Sequence, residues 1–188
     1  MNRCQLEHII RASCGNADTA DIVVIGSQSI LGSYPDAPEE LLTSMEADVY
    51  PLDAPENSIL IDGAIGEKSI FHETFGYYAH GVGPETAVLP EGWRERLVAV
   101  TNENTRGTTG WCLEPNDLAV SKLVAGREKD LEWLGILLSK GMASATTIRT
   151  RLDSTPISAA SLRELALARL NRLEKSSSRP PPQPKPSP

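Results

Sequence analysis

The sequence predicts an α/β (α+β) chain, with an N-terminal helix, a small mixed sheet and a C-terminal helical bundle. Three observations predict it. The β-branched run Ile22-Val23-Val24-Ile25 stops at Gly26 and gives way to helix-type spacing. Short apolar runs punctuated by Pro and Gly then recur as far as Leu113. From Asn116 onward, apolar residues return at helical intervals.

Taken in order, residues 2–14 place Leu6, Ile9 and Ile10 on one helical face, with Gly15 as the expected stop. Residues 22–25 form a strand, and residues 27–31 start a helix after a tight turn at Gly26. Tyr34-Pro35-Asp36-Ala37-Pro38 is punctuation, residues 39–42 give one helical turn, and residues 47–50 alternate as a strand closed by Pro51. A helix over 56–65 follows Pro55, and strands are expected over 75–82, 87–89, 97–101 and 110–113. Leu118, Val120, Leu123 and Val124 form one apolar stripe and Leu131, Trp133, Leu134, Leu137 and Leu138 another, with Gly126 as a break or kink between them. Helices over 144–152 and 158–173 complete the bundle, the last behind a serine cap and Pro156. Residues 1–115 thus read as an α/β core, 116–175 as its helical part, and 176–188 as a Pro/Ser-rich tail that cannot bury a core.

Composition bounds the function. In 188 residues with a hydrophobic fraction of 40%, no apolar run approaches the ~20 residues of a membrane span, and the N-terminus has no signal-type apolar core. A cytoplasmic location without membrane association is expected. Cys4, Cys14 and Cys112 are an odd set without C-x-x-C spacing, which points to neither a disulfide framework nor a zinc knuckle. A net charge of −7 argues against broad DNA binding, which needs a concentrated cationic face. It is compatible with collecting a divalent cation.

Two constellations carry candidate chemistry. Gly26-Ser27 sits at a strand-to-helix turn, where backbone can approach a phosphate closely; the same pair also suits an ordinary turn and cap. On the next strand, Glu46 and Asp48 are two residues apart and so project to one face, while Ala47 and Val49 project to the other. Converging carboxylates are costly unless solvated at an edge or bound to a cation such as Mg²⁺. Further on, Lys122 interrupts the apolar stretch LAVSKLVAG, Lys129 shares its face if the helix is continuous, and Arg127 and Asp130 stand at pairing distance i,i+3. Triphosphate binding and a solvated, salt-bridged helix face are the two readings of this segment. His72 and His80 lack ligand spacing and read as surface or core-edge histidines, and Trp93 and Trp111 as core residues.

An apolar strand, Gly-Ser, a helix and then acid-x-acid on the next strand together resemble the nucleotidyltransferase (polymerase-β-like) superfamily. EPNDLAVSKLVAGREKDLEWL, residues 114–134, is similar to the later segment of AbiEii-type abortive-infection nucleotidyltransferases. Phrases such as VVIGSQSILGSYPDAPEELLTSMEAD extend the likeness, to an uncharacterised bacterial branch, over roughly residues 6–138. The resemblance implies that Gly26 and Ser27 hold nucleotide phosphate, that Glu46 and Asp48 ligate Mg²⁺, and that Lys122 contacts the triphosphate. It also implies Arg127 at the nucleotide and Asp130 at the rim of the catalytic site. Two features depart from the family pattern: Glu46 stands where Asp is usual, and a proline-bearing insert lengthens the spacing from Ser27. The third carboxylate common in the superfamily is not fixed by spacing, with Glu103, Glu114 and Asp117 as candidates. The implied activity is Mg²⁺-dependent transfer of a nucleoside monophosphate from an NTP to RNA, protein or a small molecule. The alternative is a catalytically inactive chain of the same fold acting as a partner of a co-encoded toxin or antitoxin.

Overall fold

Asn2 opens the first helix with a reciprocal cap. Its side chain accepts from the Gln5 backbone N–H, and the Gln5 side chain accepts from the Asn2 N–H. The computed structural model describes residues 1–177. In it, helix α1 (Arg3–Ala17) runs through Gly15 and ends at Asp18, whose left-handed backbone (φ 49°) returns its N–H to the Cys14 carbonyl. The predicted stop at Gly15 therefore does not occur, because the buried stripe continues to Cys14 and Ala17.

Five strands form one sheet: β1 (Asp21–Val24), β2 (Glu46–Pro51), β3 (Tyr78–Gly81), β4 (Val98–Val100) and β5 (Thr109–Cys112). Their order is β3-β2-β1-β5-β4, with β1 antiparallel to β2 but parallel to β5, β3 parallel to β2, and β4 antiparallel to β5. Central β1 is buried at Ile22, Val23 and Val24, which explains its uninterrupted β-branched sequence. A 3-10 turn (Ser27–Ser29) and the short α2 (Ile30–Ser33) follow it, so the helix expected after Gly26 is only a few residues long.

Three predicted strands need correction. Residues 75–82 hold a strand only over Tyr78–Gly81, because helix α4 (Ile70–Phe75) precedes it, capped by Ser69 and closed by Gly76. Helix α3 (Ser58–Ile65) matches the helix expected before it. No strand forms over 87–89, where the chain leaves the 3-10 turn Pro84–Thr86 without joining the sheet. The strand expected over 97–101 is confined to Val98–Val100.

The bundle comprises α5 (Pro115–Ala125), α6 (Glu128–Ser139), α7 (Ala145–Asp153) and α8 (Ala160–Ser177). Pro115 occupies the first turn of α5, and the Glu114 side chain accepts from the Asn116 and Asp117 N–H groups. Gly126 ends α5 in the left-handed conformation (φ 63°), while Arg169 of α8 donates to the last-turn carbonyls of Leu123 (2.7 Å) and Val124 (3.2 Å). Trp133 of α6 donates to the Leu41 carbonyl (3.1 Å) and Tyr34 to that of Met142 (3.1 Å), fixing the bundle against the segment between α2 and β2. One hydrophobic cluster runs from Leu6 in α1 to Leu170 in α8. Cys14 and Cys112 are buried within it and Cys4 is exposed, all three as free thiols. Among the described residues, no helix is long and apolar enough to cross a membrane. The tail predicted from residue 176 lies almost wholly outside the described residues.

Candidate active site

The site begins with strand register. Parallel pairing sets Glu46 opposite Tyr78, Ala47 opposite Ala79, and Asp48 opposite His80. Side chains alternate along each strand, so Glu46, Asp48, Tyr78 and His80 share one face, while Ala47 and Ala79 are fully buried on the other. The Tyr78 hydroxyl donates to Glu46 Oε2 at 2.8 Å. His80 Nδ1 lies 3.1 Å from Asp48 Oδ1 and 3.5 Å from Glu46 Oε1. Local spacing reads His80 as a surface or core-edge residue, and the pairing of β3 with β2 is what brings it here. His72 keeps its expected place outside the cleft lining, accepting from the Lys68 N–H, with its ring tilted 43° against that of Tyr78.

Gly26 closes the floor. Its backbone angles (φ −85°, ψ −170°) are open to any residue, yet a Cβ there would run into the Asp48 carboxylate. The glycine is therefore required for space. Ser27, next along, accepts a hydrogen bond from Lys122 Nζ at 3.0 Å.

Lys122 reaches the site from α5 and is itself buried (7% exposed). Its ammonium donates to Asp130 Oδ1 at 2.8 Å and lies 4.8 Å from the Trp133 ring centroid. Arg127 donates to Asp130 Oδ2 at 2.6 Å, the predicted i,i+3 pair. Because Gly126 breaks the helix, Lys122 and Lys129 belong to different helices rather than to one continuous face. Both still line the same cleft of about 440 Å³, together with Gly26, Ser27, Glu46, Asp48, His80, Arg127 and Asp130. All seven sequence-predicted site residues thus meet in one place.

The candidate third carboxylates do not join them. Glu114 caps α5 and pairs with Arg151, and Asp117 is fully buried between Arg96 (2.8 Å) and Arg151 (3.0 Å). Glu103 lies in the exposed turn between β4 and β5. Spacing alone could not exclude Glu114 and Asp117, since their arginine partners come from 21 to 37 residues away in other elements.

Electrostatics divides the cleft in two. Burial, reinforced by the hydrogen bond and charge of Glu46, pushes the Asp48 carboxyl up to about 6 against the pull of His80. Burial acts the same way on Glu46, but hydrogen bonds from Asp48 and Tyr78 and the charge of His80 outweigh it, holding Glu46 below its ordinary value. Burial would lower His80, and the two carboxylates overcome it and raise the imidazole. Across the cleft, burial pulls the Lys122 ammonium down while Asp130 opposes. Asp130 is kept low despite its burial by Arg127 and Lys122.

Three of these side chains could together hold a divalent cation. An octahedral ion with ligands at ~2.1 Å places neighbouring donors ~3 Å apart. Donor atoms of Glu46, Asp48 and His80 all lie within 4.8 Å of one another, the one such group of His, Cys, Asp and Glu among the described residues. Like-charged carboxylates held together on adjacent alternate positions are the chemistry such an ion neutralises.

A mixed sheet carrying Gly-Ser at the end of one strand and acid-x-acid on its antiparallel neighbour, backed by a lysine-bearing helix, defines a nucleotidyltransferase-type α/β protein. The chain belongs to the family described as nucleotidyltransferase of unknown function (DUF6036), which matches residues 4–172. No curated protein and no solved structure matches it.

Proposed function

We propose that the protein transfers a nucleoside monophosphate from an NTP to an acceptor group, using Mg²⁺ or an equivalent divalent cation, in the cytoplasm. The observation that carries this is the facing of Glu46 and Asp48 by Lys122, Arg127 and Lys129 across one cleft whose floor is Gly26-Ser27. A volume of about 440 Å³ falls in the range of small-ligand sites.

Glu46 and Asp48 hold the cation, which when bound neutralises charge at the phosphoryl centre. Tyr78 fixes the Glu46 carboxylate by its 2.8 Å hydrogen bond, so the longer side chain is aimed rather than free. Gly26 lets the phosphates approach the carboxylates without a side chain between them. Lys122, Arg127 and Lys129 meet the negative charge of the triphosphate and of the leaving pyrophosphate. Both Asp130 oxygens are engaged by Lys122 and Arg127, which makes Asp130 a positioning residue for those cations. One of the two carboxylates, Glu46 or Asp48, takes the acceptor proton.

The insert between Ser27 and Glu46 supports the enzyme reading over that of an inactive partner. It contributes Thr43 and Ser44 to the cleft wall and leaves Glu46 in register with Tyr78. Asp48→Asn is expected to abolish cation-dependent NTP turnover, with an unchanged circular dichroism spectrum. Incubation with each α-labelled NTP and cell extract identifies the acceptor by whether label enters RNA, protein or small molecules. Undiminished turnover in Asp48→Asn would overturn the assignment. No turnover by the native chain, with stable association to a co-encoded protein, would favour the inactive-partner reading.

A further inference from the structure

We propose that His80 is a direct ligand of the cation, completing a two-carboxylate, one-imidazole set with Glu46 and Asp48 that favours a first-row transition dication such as Mn²⁺ over Mg²⁺. This rests on the reading of Glu46 and Asp48 as cation ligands. Three observations carry it. Neighbouring donors of an octahedral ion stand ~3 Å apart, and His80 Nδ1 lies 3.1 Å from Asp48 Oδ1 and 3.5 Å from Glu46 Oε1. The parallel register of β2 and β3 holds the imidazole on the carboxylate face through backbone pairing, so its placement does not depend on a loop. The His80 side chain is half exposed at the cleft, where an ion can reach it from solvent.

The chemistry then sets the preference. Mg²⁺ is a hard ion that selects oxygen donors and keeps its waters. Imidazole nitrogen is a borderline donor that contributes more to a transition dication. Replacing one oxygen donor by nitrogen strengthens binding of Mn²⁺ while adding little for Mg²⁺.

The test uses the full-length protein and two probe ions, Mn²⁺ and Mg²⁺, without nucleotide. Calorimetric titration and the electron paramagnetic resonance signal of free Mn²⁺ are expected to give tighter binding of Mn²⁺ than of Mg²⁺. His80→Ala is expected to lose about tenfold or more in Mn²⁺ affinity, the scale on which even outer-shell changes act, and to change little for Mg²⁺. Pulsed resonance on bound Mn²⁺ should show coupling to a directly bonded nitrogen in the native chain and none in His80→Gln, which retains a hydrogen-bonding side chain. The nitrogen signal is read on the native protein, so the test survives a variant that folds poorly. Bound Mn²⁺ without nitrogen coupling, or equal Mn²⁺ affinity in His80→Ala, overturns the proposal and leaves the carboxylate site standing. Binding of neither ion, or binding unaffected by Asp48→Asn, overturns both.

Discussion

At the residue scale, Asp48 is a carboxylate whose charge the fold disfavours. Burial and the neighbouring Glu46 push its carboxyl up to about 6 in the folded chain, against about 4 in an unfolded one. The folded state therefore holds that proton more tightly. The stability this confers is full below about pH 4 and is lost as pH rises through about 6. Without a cation, Asp48→Asn is accordingly expected to raise stability at pH 8 by about 1–3 kcal/mol, with the gain vanishing near pH 4. Thermal melts in chelator at the two pH values measure it, and a variant less stable at pH 8 than the native chain would contradict the account. A carboxylate whose charge is disfavoured beside a second carboxylate in a cleft is what a functional site looks like energetically. Its legibility was uneven. Glu46 and Asp48 could be paired from the period of a strand alone, because both lie in one element. His80 could not, since its place depends on the pairing of β3 with β2, a contact 32 residues distant in sequence that no local pattern encodes.

At the scale of elements, the junction of α5 and α6 positions the cationic wall. Gly126 ends α5 with φ 63°, and a Cβ there would collide with the Arg169 guanidinium that caps the Leu123 and Val124 carbonyls. Gly126→Ala is expected to cost about 2–3 kcal/mol, about half from the left-handed backbone and the rest from the displaced cap. Urea denaturation should show a lower midpoint at an unchanged slope. A loss below about 0.5 kcal/mol would mean that Arg169 moves aside freely. The glycine was visible in the sequence as a break between two apolar stripes, because caps are local. Its partner Arg169 was not, being contributed by α8. The same division explains the strand expected over 87–89: three apolar residues satisfy a β pattern locally, but joining a sheet needs a partner elsewhere in the chain, and this segment pairs with neither edge strand, β3 or β4.

At the scale of the whole molecule, the sheet half and the helical half share one core. Leu6, Ile22, Leu113, Leu134 and Leu170 belong to a single cluster, and Trp133 bridges the halves by its bond to Leu41. The boundary drawn at residue 115 separates two regions of secondary structure that pack as one body. One cooperative unfolding transition is expected. Fluorescence of a Trp133→Phe variant, reporting Trp93 and Trp111 in the sheet half, should follow the same curve as far-ultraviolet circular dichroism, which is weighted to the bundle. Two separated midpoints would show that the halves unfold independently. Fold class and order of halves were legible because both follow from periodicity. The net charge was a poor guide to the site: a chain at −7 still gathers Lys122, Arg127 and Lys129 on one wall.

Gly26 and Asp48 also bind each other's mutational futures. A side chain at position 26 would run into the carboxylate at 48, so one of the two has to shift. Without a cation and above about pH 6, loss of the Asp48 charge is expected to stabilise the chain, and it leaves position 26 freer to carry a side chain. A lineage that had retired its chemistry would meet little resistance along that route. This chain carries both the acid whose charge the fold disfavours and the bare position that makes room for it, a combination that stability alone does not call for.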